Sequence, residues 1–284
     1  MNEVSKLINF NKKMFIIILI LATFFLGGIL YKYYPEGNSL PKIYRIAIDE
    51  TWYPLNLFNK EEYITAFSEE LTLAVASQHH LPIQFIQVES ENLFTGLDMG
   101  EYEAVLSSLL VLEENGNNYA VLSLEVIEEN NENYIFTNSY YLIGPVLVVP
   151  LSSHIKSLKD LSGKIIGIVN ESKPISSLLK DIPINFIFYE YNKRSQLAED
   201  VINNVIDGMI LDMIPAYETA KFYRNQLKIA SIPLTREGLR LIAKDTPESK
   251  RLIDQFNEGL KTDKKNGTYD RLLAKWGLFN PEKL

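Results

Sequence analysis

Short apolar runs alternate with amphipathic stretches along the first half of the chain. Strands are predicted for the runs that alternate or are rich in branched residues, at 43–49, 83–88 and 102–106. Helices are predicted between them, at 68–78 and 92–99, with Ser68 as the cap of the first one. Strands and helices that follow one another in this order predict a parallel sheet covered on both faces.

The stretch Phe136–Pro150 separates this half from a second, similar one. Gly144 and Pro145 lead into the apolar run Val146–Val149, and a run of that kind bounded by Pro150 predicts a buried strand. Later strands are predicted at 164–169, 184–189 and 207–212, then a return through 227–233 and two final helices at 247–261 and 268–276. We interpret 136–150 as the crossing between two lobes of an α/β clamshell, with lobe 1 formed by residues 42–140 and 234–284 and lobe 2 by residues 141–233.

The N-terminal residues carry a different pattern. Met14–Leu30 is free of charge and follows Lys12 and Lys13. Such a run is short for a membrane-spanning helix and slightly long for the core of a signal peptide. An apolar helix that stays uncleaved as a membrane anchor is the favoured interpretation, with a cleaved signal as the alternative. The lysines predict that residues 1–13 stay in the cytoplasm and that the rest of the chain is exported. Residues 1–35 together form the predicted anchor or signal segment and its linker.

Composition excludes several classes of function. The formal net charge is −8, whereas a nucleic-acid binder presents a basic face. The chain has no cysteine, so disulfides and thiolate metal sites are excluded, and its three histidines do not predict a metal site. Catalytic signatures such as a nucleophile elbow or a phosphate-binding glycine loop are missing from the sequence. The sequence therefore predicts a globular protein without a metal or cofactor.

Polar residues follow several predicted strands at their carboxyl ends, where open parallel sheets bind ligands. They are Asp49, Ser107, Ser108, Ser172 and Asp212, and Trp52 is close to Asp49 in sequence. An aspartate suits an ammonium group, the helix start near Ser172 suits a carboxylate, and Trp52 suits an apolar or cation–π wall. Each residue alone has an ordinary structural explanation, and their joint placement favours a small-molecule site.

Six local stretches, taken together and in order, resemble the family 3 extracellular solute-binding proteins. They are 48–54, 102–108, 136–141, 157–167, 205–212 and 266–276, within a match from about Ile43 to Leu278. The resemblance implies a two-lobed periplasmic-binding-protein type II fold that binds an amino acid or related small polar solute. It also implies an extracytoplasmic receptor without enzymatic activity, which serves the permease of an ABC importer and is tethered to or exported across the cytoplasmic membrane.

The same resemblance assigns roles to single residues. Asp212 takes the ligand's α-amino group, Asp49 and Trp52 line the cleft, and Ser107 and Ser108 match a polar pair of the family. The family's arginine, which binds the α-carboxylate, has no counterpart. Its place is Asn115 by direct count, or Asn130 if an insertion precedes it.

Two explanations remain for the missing arginine. The family's Gly-Thr-Thr loop is replaced by Glu171, Ser172 and Lys173. Lys173 is our hypothesis for the missing positive charge, although lysine does not reproduce the planar pairing of arginine. Alternatively, the ligand has no free α-carboxylate.

Two other functions stay open beside the receptor. The fold resembles that of dehydratases of cyclohexadienyl acids, which need a general acid in the cleft. A sensor or interaction domain with a degenerate ligand site is the third reading. For the receptor, closure is expected about the crossings near Tyr141–Pro145 and Ile229–Leu234, because a ligand that contacts both lobes favours the closed form.

Overall fold

A computed structural model describes residues 42–52, 55, 57–114, 117–122, 134–169, 183–190 and 193–283 of the protein. Ile43–Leu284 forms one compact unit. The apolar segment Met14–Leu30 lies outside the described residues, so its role as anchor or signal stays a prediction. Within the described ranges, the helices are all too short or too polar to span a bilayer.

Seven strands of the described chain form the larger of two sheets. They are β1 Tyr44–Ile48, β2 Ile83–Gln87, β3 Ala104–Glu114, β4 Asn117–Leu122, β5 Tyr134–Phe136, β6 Tyr141–Leu142 and β12 Gly238–Lys244. The main path is β2-β1-β3-β12-β5, with β4 beside β3 and β6 beside β12. β1 is parallel to β2 and β3, as predicted, but β12 is antiparallel to β3, β5 and β6. The sheet is therefore mixed.

Five strands of the described residues form the smaller sheet. They are β7 Pro145–Pro150, β8 Ile165–Val169, β9 Asn185–Tyr189, β10 Gly208–Asp212 and β11 Leu227–Ile229, in the order β11-β7-β10-β8-β9. β8 is parallel to β9 and β10, while β7 is antiparallel to both of its neighbours. All six residues of β7 are buried, which confirms the predicted buried strand.

Helices cover the sheets and explain why the strands are apolar on both faces. In chain order they are α1 Glu61–Gln78, α2 Leu93–Met99, α3 Arg194–Ile202, α4 Met213–Phe222, α5 Pro247–Asn266 and α6 Thr268–Lys275, with 3₁₀ turns at Ser90–Asn92, Leu158–Leu161 and Pro281–Lys283. α1, α5 and α6 share a core with Ile46, Ile48 and Leu106 on one face of the larger sheet. α2 packs with Ala47 and Val105 on the other face.

Two segments cross between the sheets, and they lie side by side. The first lies between Leu142 and Pro145, inside the stretch Phe136–Pro150, and the second between Ile229 and Gly238. The N–H groups of Ile143 and Gly144 both donate to the carbonyl oxygen of Glu237, at 3.1 and 3.3 Å. The N–H of Leu234 donates to the carbonyl of Pro145 at 2.7 Å. These bonds hold the two crossings together as one short ladder.

Two predictions for the larger sheet are wrong. Ser68 does not cap α1, because the helix begins at Glu61 and Ser68 is fully buried inside it, where its hydroxyl accepts a hydrogen bond from Tyr140 at 3.0 Å. The third strand does not end at Leu106 but continues to Glu114 and turns into β4. Both serines therefore lie within β3 rather than after it.

Candidate functional site

Asp49 follows β1 and organises the loop behind it. Its carboxylate accepts hydrogen bonds from the backbone N–H of Thr51 at 2.9 Å and from the Thr51 hydroxyl at 2.8 Å. The Ser90 hydroxyl, from the turn before α2, donates to the other oxygen. Only 7% of the residue is exposed. Asp49 therefore fixes two loops at the carboxyl edge of the larger sheet, as a short acidic side chain does in a turn.

Trp52 lies in the same loop but points into the core. Its backbone φ is +55°, an uncommon value for a bulky residue, and 3% of its surface is exposed. The indole Nε1–H donates to the hydroxyl of Thr65 on α1 at 2.7 Å. In this arrangement Trp52 joins the loop to the helix, and its role as a ligand wall stays a prediction.

Ser107 and Ser108 lie on opposite faces of β3. In the antiparallel register Ser107 stands opposite Arg240 and Ser108 opposite Leu239. Because residues directly opposite one another share a face, Ser107 and Arg240 are on one side of the sheet. Ile48 pairs with Leu106, so Asp49 and Ser107 are the next positions of two adjacent parallel strands. The structure therefore brings Asp49, Ser107 and Arg240 to the same edge of the larger sheet.

Asp212 is the last residue of β10 and stands opposite Pro145, directly after the first crossing. Its side chain is exposed, in contrast to the other members of β10. Glu237 lies close to it, in the second crossing. Burial, and then the negative charge of Asp212, raises the pKa of Glu237 to about 7. Two carboxyl groups thus share the region where the two crossings meet.

Arg240 on β12 is a buried cation that the sequence analysis did not identify. Its residue is 7% exposed, Nη1 donates to the carbonyl of Thr137 at 2.6 Å, and Nη2 donates to the carbonyl of Arg236 at 3.2 Å. The guanidinium also lies 5.4 Å from the centre of the Phe136 ring. Burial, and then the charge of Arg236, lowers the pKa of Arg240 to about 10.

A sequence signal for these two residues exists. Arg240 interrupts the apolar run Gly238–Ala243, and a charge inside a run that reads as a buried strand calls for a partner. Glu237 precedes the same run. The sequence analysis assigned no strand there, since it followed only the alternation of parallel strands and helices.

Several predicted residues cannot be placed. Ser172 and Lys173 lie outside the described residues, as do Asn115 and Asn130, the two positions proposed for the family's arginine. Their predicted roles stay predictions. Across the described ranges, no cluster of histidine, aspartate and glutamate side chains could bind a metal ion.

A cavity of about 810 Å³ lies apart from the predicted residues. It is lined by α3, by α4 and the residues just after it, and by Phe58 from the loop before α1; Arg194, Glu218 and Phe222 are among its lining residues. The guanidinium of Arg194 lies 5.3 Å from the centre of the Phe58 ring, and Lys60 pairs with Glu218 at 3.8 Å. The cavity therefore marks a place where elements of the two sheets approach each other.

Comparison with protein families gives one match over most of the chain. The profile of the bacterial extracellular solute-binding proteins, family 3, matches residues 44–279. Among characterised proteins, an ABC transporter arginine-binding protein 1 of Escherichia coli is 23% identical over 243 residues, which cover 84% of this chain and 93% of the relative. The arginine-binding extracellular protein ArtP of Bacillus subtilis is 25% identical over 232 residues, which cover 80% of this chain and 82% of that protein.

Solved structures show the same fold at low sequence identity. The L-cystine solute receptor of Neisseria gonorrhoeae, in its unliganded open conformation, superposes with a TM-score of 0.60 at 18% identity and covers 84% of this chain and 93% of its own. The second substrate-binding domain of GlnP from Lactococcus lactis, also open, gives 0.54 at 18% identity, with 86% and 97% covered. Both support the two-sheet architecture of a type II periplasmic binding protein.

Proposed function

Because the chain belongs to the bacterial extracellular solute-binding proteins of family 3, we propose that it is the receptor of an ABC importer for an amino acid or a related small polar solute. The match of the family profile over residues 44–279 carries this proposal. The arginine-binding function of two relatives supports an amino acid as the solute. The family favours a binding protein over the dehydratase and sensor alternatives.

We place the solute between two lobes, with lobe 1 formed by residues 42–140 and 234–284 and lobe 2 by residues 141–233. Asp49, Ser107 and Ser108 supply the larger sheet's edge, and Asp212 supplies the end of a strand from the smaller one. Trp52, Ser172 and Lys173 complete the proposed set. The exposed carboxylate of Asp212 suits the ligand's ammonium group, since a charge-assisted hydrogen bond is stronger than a neutral one.

The partners follow from this role. The permease of the importer binds the closed form of the receptor. The N-terminal segment of residues 1–35 either anchors the receptor at the outer face of the cytoplasmic membrane or is removed on export. A receptor releases its solute unchanged, whereas a dehydratase converts it into a product. Turnover of prephenate or arogenate would therefore show that the protein is not only a receptor.

Thermal unfolding of the purified full-length chain tests the proposal. The protein is heated alone and with each free amino acid and a set of organic acids at millimolar concentration. A ligand at about 100 times its dissociation constant stabilises by about 2.7 kcal/mol, which corresponds to roughly 5–10 °C in a protein of this size. A shift confined to one chemical class of amino acid supports a receptor. A panel without any shift contradicts the proposed amino-acid function.

A further inference from the structure

The larger sheet contains a positive charge, on Arg240, that no carboxylate of the described residues neutralises. Only 7% of Arg240 is exposed, and its Nε lacks a hydrogen-bond partner among the same residues. Burial of a charge without a counter-charge lowers the stability of the fold. The cation–π contact with Phe136 and the two hydrogen bonds to carbonyl oxygens compensate only part of that cost. An anion bound by the guanidinium would compensate the remainder.

The position of the guanidinium indicates where such an anion would bind. Arg240 shares a face of the sheet with Ser107, its partner in the antiparallel register. Nη2 donates to the carbonyl of Arg236, two residues before the start of β12. The head group is therefore turned back toward the edge of the sheet, where the second crossing ends.

The donors that remain fit a carboxylate. A guanidinium has five N–H donors, and two are used by the carbonyls of Thr137 and Arg236. The free donors include Nε–H, which with an adjacent Nη–H makes the planar fork that binds a carboxylate through two parallel hydrogen bonds. A small rotation of the side chain toward a ligand satisfies the orphaned Nε at the same time.

We infer that Arg240 binds the carboxylate of the solute, in place of the arginine that the sequence lacks between Arg45 and Arg194. This inference rests on the proposed function. It assigns the two charges of a zwitterion to the two sides of the crossings, with Asp212 and Glu237 facing the ammonium group and Arg240 facing the carboxylate. It also assigns the missing charge to a described residue of lobe 1, where the alternative is Lys173 of lobe 2.

The experiment compares one amino acid with its own decarboxylated amine. The amino acid is the one that gives the largest shift in the thermal panel, and both molecules are titrated calorimetrically into the full-length wild type and Arg240→Gln. For the wild type we expect the amino acid to bind at least about tenfold more tightly than the amine, since the amine lacks the charge-assisted hydrogen bonds to the guanidinium. In Arg240→Gln the affinity for the amino acid falls by about 10–100-fold, while that for the amine stays within about threefold.

Three further proteins make the result specific. Arg240→Lys keeps the charge but loses the fork, so it recovers only part of the lost affinity and serves as the better-folded variant if Arg240→Gln unfolds. Arg236→Gln removes the neighbouring exposed cation and controls for a general electrostatic effect. Lys173→Ala tests the alternative donor directly.

The outcomes separate the two proposals. If the wild type binds an amino acid and neither Arg240 variant changes its preference over the amine, the inference is overturned while the receptor function stands. A preference that is lost in Lys173→Ala and kept in both Arg240 variants assigns the carboxylate to Lys173 and likewise overturns it. A wild type that binds no amino acid overturns the receptor function and this inference with it.

Discussion

At the scale of single residues, Glu237 is a largely buried carboxyl group whose pKa lies near neutral pH. Burial first, and the charge of Asp212 second, raise its pKa from the ordinary 4.5 to about 7. The folded protein therefore holds a proton that the unfolded chain releases. Its contribution to stability is complete below about pH 4.5 and is lost as the pH rises through about 7.

We expect the unfolding free energy of the wild type to fall by about 2 kcal/mol over this pH range relative to Glu237→Gln, after allowance for the partial exposure of the side chain. Urea unfolding at a series of pH values measures the difference. Asp212→Asn is the matched control, because loss of the neighbouring charge lowers the pKa of Glu237 and weakens the pH dependence. Parallel pH profiles for the wild type and Glu237→Gln contradict the assignment.

The second prediction concerns the Trp52 indole and its partner. Trp52→Phe loses one buried hydrogen bond and is expected to lower stability by about 1 kcal/mol. Thr65→Val leaves the indole N–H buried without an acceptor and is expected to cost about 1–3 kcal/mol. The double variant should cost less than the sum, because neither group is then left alone.

Chemical denaturation of the four proteins measures this coupling, and a ligand titration decides between two roles of Trp52. The burial of the ring predicts a change in stability with little change in affinity. A tenfold loss of affinity at unchanged stability shows instead that Trp52 lines the ligand site, as the family resemblance implies.

Residue-scale prediction from the sequence succeeded where the signal is local. The apolar run that ends at Asp212 marks both the strand and the polar residue at its end. Ser68 was wrongly predicted to be an N-cap because the first two turns of α1, which precede it, were not recognised as helix. In sequence, a capping serine and a buried serine inside a helix then look the same. Arg240 was missed because its meaning depends on Ser107, which is 133 positions away and becomes its neighbour only through the register of β3 and β12.

Among the elements, the two paired crossings pack closely against each other. A β-carbon at Gly144 would lie 2.3 Å from the hydroxyl oxygen and 3.1 Å from the carbonyl oxygen of Thr235 in the other crossing. Glycine is therefore needed here for the close approach of two chains, not for its backbone angles. Both crossings must separate before a larger side chain can fit.

We expect Gly144→Ala to lower stability by about 1–3 kcal/mol, since overpacking forces neighbouring groups apart. Thr235→Ala removes the nearer of the two obstacles, so the double variant should recover part of the loss. Thermal unfolding of the three variants measures this recovery. Equal stability of Gly144→Ala and the wild type would mean that the crossings are looser than their hydrogen bonds indicate.

The order of elements was predictable because each helix and each parallel strand leaves a local pattern. The parallel core β2-β1-β3 and the strand β7 were found in this way. The antiparallel additions were not found, since β12 joins β3 from a distant part of the chain and the β3–β4 hairpin continues a strand that was expected to end. The additions matter for function, because β12 delivers Arg240.

For the molecule as a whole, two contacts link the region before α1 to the helices of the smaller sheet. Phe58 stacks against Arg194, and Lys60 pairs with Glu218. Phe58 and Asn59 hold this loop in the left-handed region, with φ of +55° and +60°. Such angles cost roughly 1–2 kcal/mol for a residue with a side chain, so the contacts offset a strained loop.

A rotation of one sheet against the other stretches both contacts, because each joins residues carried by different sheets. The cation–π contact contributes about 0.5–1 kcal/mol and the partly exposed ion pair about 0–1 kcal/mol. Loss of both therefore shifts the equilibrium between closed and open forms by at most about thirtyfold. A ligand that needs the closed form is weakened by the same factor.

We therefore expect Phe58→Ala combined with Lys60→Ala to enlarge the mean radius of gyration of the unliganded protein and to weaken solute binding by up to about thirtyfold. Small-angle X-ray scattering and calorimetry measure the two effects. Lys244→Ala is the control, because its ion pair with Asp98 joins β12 to α2 and does not involve the smaller sheet. Saturating solute should return the double variant to the compact form, since binding energy can replace the lost contacts. A double variant with unchanged scattering and unchanged affinity would show that closure is governed by the crossings alone.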